Sequence, residues 1–336
     1  MFARVLVPLD GSTLAASVLP HIAGLTRAGA EAILLRVVEP SLDAPLVDPL
    51  EWRVRLDLAR VYLDQVARRL QDETGLVPSV MVEEGCAAER ILSVARATDS
   101  QLIAVCSHGA GGLNAWNMNS VAFKVAQRSG ASLLVVRSYQ RGPDPEDAPL
   151  TPERYRRILV PLDGSLRAEH VLPAADALAV RLGATLVLAH VVQLPRFIQR
   201  RGGDQLDPAL ADAVEQSARH AEEYLHEIAS GLQAHAEVRV LRSHDPAALL
   251  HQVVSDEEVD LVIVSAHGHS GQRYWPHGSL ATSFMLHGTT SLLVLQDILW
   301  DDLVPNQAEL AAASERHPQR VISGTLPGQT EALLVE

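Results

Sequence analysis

Ser265-Ala266-His267-Gly268, then nine residues, then Gly278-Ser279 have the residue types and spacing of an anion cradle. The apolar run Leu261-Val262-Ile263-Val264 before them reads as a buried parallel strand, and Leu280–His287 after them as a short helix. A strand, a glycine-containing loop and a helix start can aim several backbone N–H groups at one point, where the helix dipole favours negative charge. Glycine allows close backbone approach and positive φ there. A variant lies 159 residues earlier: Cys106-Ser107-His108-Gly109, nine residues, Asn119-Ser120. The plainer alternative for each loop is a connection whose helix is capped by Ser120 or Ser279. The phosphate reading is favoured for the second loop and stays open for the first.

The second loop also carries His267, His269, Arg273 and His277. Arg273 could add charge-assisted bonds to a polyphosphate. The histidine spacings match no usual metal-ligand pattern. Trp116 and Trp275, at equivalent loop positions, read as anchors that pin each loop to the core. Asp10 and Asp163 each stand between a strand and Gly-Ser. Each is either a turn residue capping the next helix or a carboxylate at the sheet edge that accepts a hydrogen bond from a base or ribose. No catalytic set emerges. The sequence has no GxSxG elbow, no GxxxxGK[ST] and no GxGxxG after its first strand. Adjacent Glu83 and Glu84 would face opposite ways in a strand. Asp64, Arg68 and Arg69 read as a solvated helix face with i, i+4 pairing.

The elements that must position these residues come as a repeat. Arg4-Val5-Leu6-Val7-Pro8-Leu9-Asp10-Gly11-Ser12 returns as Arg157-Ile158-Leu159-Val160-Pro161-Leu162-Asp163-Gly164-Ser165. Val18-Leu19-Pro20 returns as Val171-Leu172-Pro173, and Ser132-Leu133-Leu134-Val135 as Ser291-Leu292-Leu293-Val294. In the first copy the pattern predicts strands over Val5–Pro8, Ala32–Val38, Val80–Glu83, Leu102–Cys106 and Leu133–Val136. It predicts helices over Thr13–Gly29, Glu51–Asp72, Ala87–Ala97 and Ser120–Gln127. In the second copy Asp245-Pro246 opens a helix. Near-continuous Val/Leu/Ile strands suit a parallel sheet buried on both faces. The expected fold is α/β: two tandem doubly wound parallel-sheet domains, 1–138 and 155–297. A proline-rich linker, 139–154, joins them, and the tail 298–336 loses the pattern. Within the tail only Ala308–Ala313 suggests a helical turn and Glu331–Val335 a strand.

The 336 residues suffice for two domains, and 47% apolar content can bury full cores. A net charge of −13 argues against a nucleic-acid or anionic-membrane surface. Cys86 and Cys106 form no CxxC or CxxH pattern, which fits a reducing compartment. The chain enters its first strand without a signal-peptide h-region, and no apolar run approaches the ~20 residues of a membrane span. The expected location is the cytoplasm.

These repeats and loops resemble a tandem protein of the universal stress protein (UspA) family, with a Rossmann-like fold related to the adenine nucleotide α-hydrolases. The ATP-binding branch of that family has Gly, two residues, Gly, nine residues, Gly, then Ser or Thr. The second copy keeps Gly268, Gly278 and Ser279 with Ser265 at the first Gly. The first keeps Gly109 and Ser120, with Cys106 at the first Gly and Asn119 at the third. The resemblance implies that Asp163 contacts the adenosine part, with Pro161 beside it and Val191 at adenine. Gly268, Gly278, Ser279 and Leu280 would hold ribose and phosphates. The matching positions in the first copy are Pro8, Asp10, Val37, Gly109, Asn119, Ser120 and Val121. It further implies ATP, with or without Mg2+, as a regulatory ligand and at most slow hydrolysis. The last strands of the copies, Leu133–Val136 and Leu292–Leu295, could pair as an internal pseudo-dimer, and a homodimer is a further option. Two other readings stand beside this one. The first is a non-binding scaffold that acts through protein contacts. The second is an adenylating enzyme, disfavoured by the absence of an SGGxDS-like first turn.

Overall fold

The computed structural model describes residues 2–40, 48–107, 120–137, 150, 153–194, 208–268 and 277–297. Outside the described residues lie Gly109, Trp116, Asn119, His269, Arg273 and Trp275, most of the linker, and the tail with Ala308–Ala313 and Glu331–Val335.

The first half runs β1 (Phe2–Pro8), α1 (Thr13–Ala16), α2 (Leu19–Leu25), β2 (Thr26–Val38), α3 (Pro49–Thr74) and β3 (Val77–Glu84). It continues with α4 (Ala87–Ala97), β4 (Leu102–Cys106), α5 (Val121–Ala126) and β5 (Ser132–Val136). The second half repeats the order with β6 (Arg157–Pro161), α6 (Leu166–Glu169), α7 (Leu172–Leu182), β7 (Thr185–Gln193) and α8 (Pro208–Gly231). It ends with β8 (Ala236–Ser243), α9 (Pro246–Asp256), β9 (Leu261–Ser265), α10 (Ser279–His287) and β10 (Ser291–Leu295).

Strand side chains alternate between two covered faces, the geometry of a pleated sheet with helices on both sides. Val5, Val7, Ile158 and Val160 join one apolar layer with α2, α3, α7 and α8. Leu6 and Leu159 join the other with α4, α5, α9 and α10. The strands form one sheet in the order β3-β2-β1-β4-β5-β10-β9-β6-β7-β8. Neighbours are parallel except β5 and β10, which run antiparallel with Leu293 opposite Leu134. In each half the order reverses at the first strand, so a crevice opens beyond the carboxyl ends of β1/β4 and of β6/β9. Among the described residues no helix is long and apolar enough to cross a membrane.

Several elements differ from the sequence reading by one to three residues, and the first helix and second strand by more: the helix is two helices, α1 and α2, broken at Ser17-Val18. The helix expected through Gly29 stops at Leu25, and β2 starts at Thr26 rather than Ala32. Part of the cause is in the second half. Arg181 donates from Nη1 to Thr26 O at 2.6 Å and from Nη2 to Gly24 O, occupying carbonyls that a continuing helix would use. Thr26 is extended, and its hydroxyl donates to Ile22 O at 2.9 Å. In the second half α7 runs on to Gly183, which caps it at φ +66°.

Other bonds join the halves around β5/β10. Arg137 Nη2 donates to Phe284 O at 2.8 Å and to Met285 O, capping the end of α10. Gln296 Nε2 donates to Ser129 O at 3.3 Å. His21 Nδ1 and the buried Tyr155 hydroxyl are 2.7 Å apart.

Candidate functional site

The two Asp-Gly-Ser turns fold alike. Asp163 Oδ1 accepts from Ser165 N at 3.0 Å and Ser165 Oγ at 2.6 Å, and Asp10 does the same with Ser12 at 2.9 and 2.6 Å. The helix cap is the serine: Ser165 Oγ accepts from Ala168 N and Ser12 Oγ from Ala15 N, both at 3.1 Å. Each aspartate therefore orients the cap and does not supply it, which corrects the capping alternative read from sequence. Gly11 and Gly164 have φ of +83° and +80°, a conformation that glycine adopts without strain.

In the second half the loop after β9 comes back against this turn. Gly278 N donates to Ala266 O at 2.6 Å and closes the base of the loop. A Cβ on Gly268 would overlap Asp163 Oδ2, so the glycine is what lets the carboxylate approach the loop backbone. Gly278 is the N-cap of α10 and provides no side-chain bond to its first amides. Ser279 is the first helical residue, not the cap. In the first half Ser120 Oγ accepts from Phe123 N at 3.2 Å, so α5 is capped by its own serine. A helix start without a side-chain cap presents unsatisfied N–H groups and positive potential.

Pro161, Asp163, Val191, Ser265, Gly268, Gly278, Ser279 and Leu280 all line one cavity of about 680 Å³ at the carboxyl edge of the sheet. His190, Asp245, Pro246 and Leu250 line it as well. Sequence reasoning left these four outside the site. Asp245-Pro246 was legible as a helix start, and Asp245 Oδ1 does accept from Ala248 N at 3.1 Å, but nothing in the pattern tied α9 to the loop. Burial lowers the His190 pKa, which favours a neutral imidazole beside the cavity. Ser265 Oγ is buried without a hydrogen-bond partner among the described residues.

Two histidines of the loop are structural. His267 Nδ1 lies 2.6 Å from Asp297 Oδ1, and Arg167 Nε approaches Asp297 Oδ2 at 3.8 Å, which ties the loop to the end of β10 and to α6. Asp297 stands beyond the last repeated strand, where no sequence signal marked it. His277 Nε2 donates to Ala126 O at 2.6 Å, across to the first half. Among the described residues no group of His, Cys, Asp and Glu could hold a metal ion.

The first half differs at the corresponding place. Pro8 ends β1, Val37 lies near the end of β2, and Ser120 and Val121 begin α5. The Arg36 guanidinium lies directly against Gly11 and 5.3 Å from the Tyr62 ring centre. Around Gly164, among the described residues, no atom lies within 4 Å of where a Cβ would stand. Cys106, at the position of Ser265, has its sulfur 3.5 Å from the Ser17 hydroxyl.

The universal stress protein family profile matches residues 1–137 and 154–296. No curated protein matches the chain. Among solved structures, a universal stress protein from Archaeoglobus fulgidus superposes with a TM-score of 0.61 at 20% identity, covering 88% of this chain and 98% of its own. A functionally unknown protein from Pseudomonas aeruginosa PAO1 gives 0.59 at 16% identity, covering 94% of this chain and 98% of its own. At these identities the likeness concerns the fold. Two profile matches spanning most of the chain, on two copies of one α/β plan, place the protein in the universal stress protein family.

Proposed function

We propose that the second half binds an adenine nucleotide, ATP or a close relative, as a regulatory ligand of a stress-response protein. One observation carries this reading: the start of α10, without a side-chain cap, borders the same cavity as Asp163. A volume of about 680 Å³ falls within the usual range for small-ligand sites. Asp163 would accept from the adenosine part, Pro161 and Val191 would pack beside the base, and Gly268, Gly278, Ser279 and Leu280 would hold ribose and phosphates. Asp163 and Asp245 put two carboxylates at the cavity, and no Lys or Arg lines it among the described residues. Backbone amides and the dipole of α10 would therefore meet the phosphate charge; Mg2+ would offset the rest. The Ser265 hydroxyl supplies one further donor that the glycine of the family motif lacks.

The scaffold reading fits the first half. Arg36 covers its turn and Ser120 satisfies its helix start, so one nucleotide per chain is expected. The test is a thermal-shift titration with ATP, ADP and AMP, each with and without Mg2+, on the wild type and Gly278→Trp. A Cβ at Gly278 already lies 3.3 Å from Ala266 O, so an indole there crowds the loop backbone that lines the cavity. Ligand at 100 times its Kd stabilises by ~2.7 kcal/mol, or roughly 4 °C for a cooperative unit of about 300 residues. That shift should vanish in Gly278→Trp. No shift in the wild type at millimolar nucleotide would leave the scaffold reading for both halves.

A further inference from the structure

Helix α3 turns an apolar stripe to solvent. Leu50, Val54, Leu58 and Val61 are 72%, 48%, 63% and 53% exposed. Their spacing places them on one helix face, opposite the buried Ala59, Leu63 and Leu70. The duplicated half provides a control. Aligning Tyr62-Leu63 with Tyr224-Leu225 sets the four apolar residues against Asp212, Gln216, His220 and Glu223 of α8, all exposed and polar. The same fold therefore packs without apolar residues at these positions, and the stripe on α3 needs another explanation.

One flank of the stripe carries Arg53, Asp57, Arg60 and Asp64. None of these side chains makes a hydrogen bond or ion pair among the described residues. A two-fold axis that packs two copies of α3 antiparallel brings the same flank of each helix together. If Arg53 faces Asp64 of the other copy, Asp57 must face Arg60 of the other copy, because both pairs centre between residues 58 and 59. The same register packs Leu58 on Leu58 at the axis and Val54 beside Val61. A single alignment thus pairs every charge of the flank with its opposite and buries the stripe.

We propose that the chain self-associates through α3 as a symmetric antiparallel dimer. This inference does not depend on nucleotide binding. The helix is roughly 39 Å long, and its face alone offers less than the ~800 Å² per partner of a standard interface, so the dimer should form at micromolar concentration.

Sedimentation equilibrium of the full chain from about 1 to 200 μM tests the proposal. The mass should rise from 36.3 kDa towards twice that value. Leu58→Asp should raise the dimer Kd by roughly a hundredfold or more. Arg53→Asp should raise it about tenfold, by setting Asp against Asp64 in both symmetric pairs. The double variant R53D/D64R should restore the wild-type value. Leu58 is exposed, so unchanged thermal melts will confirm that the variants fold. Any of three results overturns the proposal: a monomer throughout, a dimer indifferent to Leu58→Asp, or a double variant no tighter than Arg53→Asp. A monomer whose Leu58 is shielded from hydroxyl-radical labelling also overturns it and assigns the face to another segment of the chain.

Discussion

Single residues separate the two halves more sharply than their shared pattern suggests. Asp163 and Asp10 make the same bonds to Ser165 and Ser12, yet Arg36 covers the first turn and, among the described residues, no side chain covers the second. The Asp-Gly-Ser motif was legible in the sequence. The arginine was not, because its effect depends on a side chain folding back from β2 onto Gly11. His277 shows a similar limit. It reads as a loop histidine but is buried against Ala126 O, and burial lowers its pKa to about 4. His21, buried beside Tyr155, is likewise lowered to about 4. Both are held neutral in the fold, while in the unfolded chain they protonate near the ordinary value of about 6.5. Between those values the unfolded state binds more protons. Stability should therefore be undiminished above pH 6.5 and fall as the pH drops towards 4, by up to about 1.4 kcal/mol per pH unit for each histidine. His277→Gln keeps a donor for Ala126 O and removes one titration. Urea melts at pH 7, 6 and 5 should show a correspondingly shallower slope; an unchanged slope would mean that His277 does not titrate with folding.

Elements were legible wherever local chemistry decides them. Helix α4 and strand β4 have the bounds expected from periodicity, and Asp245-Pro246 opens α9. The failure at α2 has a local and a tertiary cause. Thr26 turns extended with its hydroxyl on Ile22 O, and Arg181, 156 residues after Leu25 in sequence, takes the carbonyls of Gly24 and Thr26. Arg181→Ala should cost about 2 kcal/mol, the usual scale for charge-assisted bonds to backbone, and should speed amide exchange at the start of β2. Unaltered stability and exchange would show that α2 ends for local reasons.

At the scale of the molecule, duplication supplies two copies of one plan, and the antiparallel pairing of β5 with β10 makes them one sheet. That plan was readable from repeated strands. The differences between the halves were not, because they lie in single equivalent positions: Arg36 against His190, a capped α5 against an uncapped α10, an apolar α3 face against a polar α8 face. We propose that the second half alone takes the nucleotide, one per chain. Isothermal titration calorimetry with ATP tests this most directly, using the wild type, Asp10→Ala and Gly268→Ala, whose new methyl group would displace Asp163. The expected result is one ATP per chain, unchanged in Asp10→Ala and weakened at least about tenfold in Gly268→Ala, as overpacking of 1–3 kcal/mol at the site implies. Two equal sites, or no heat of binding at millimolar ATP, would contradict it.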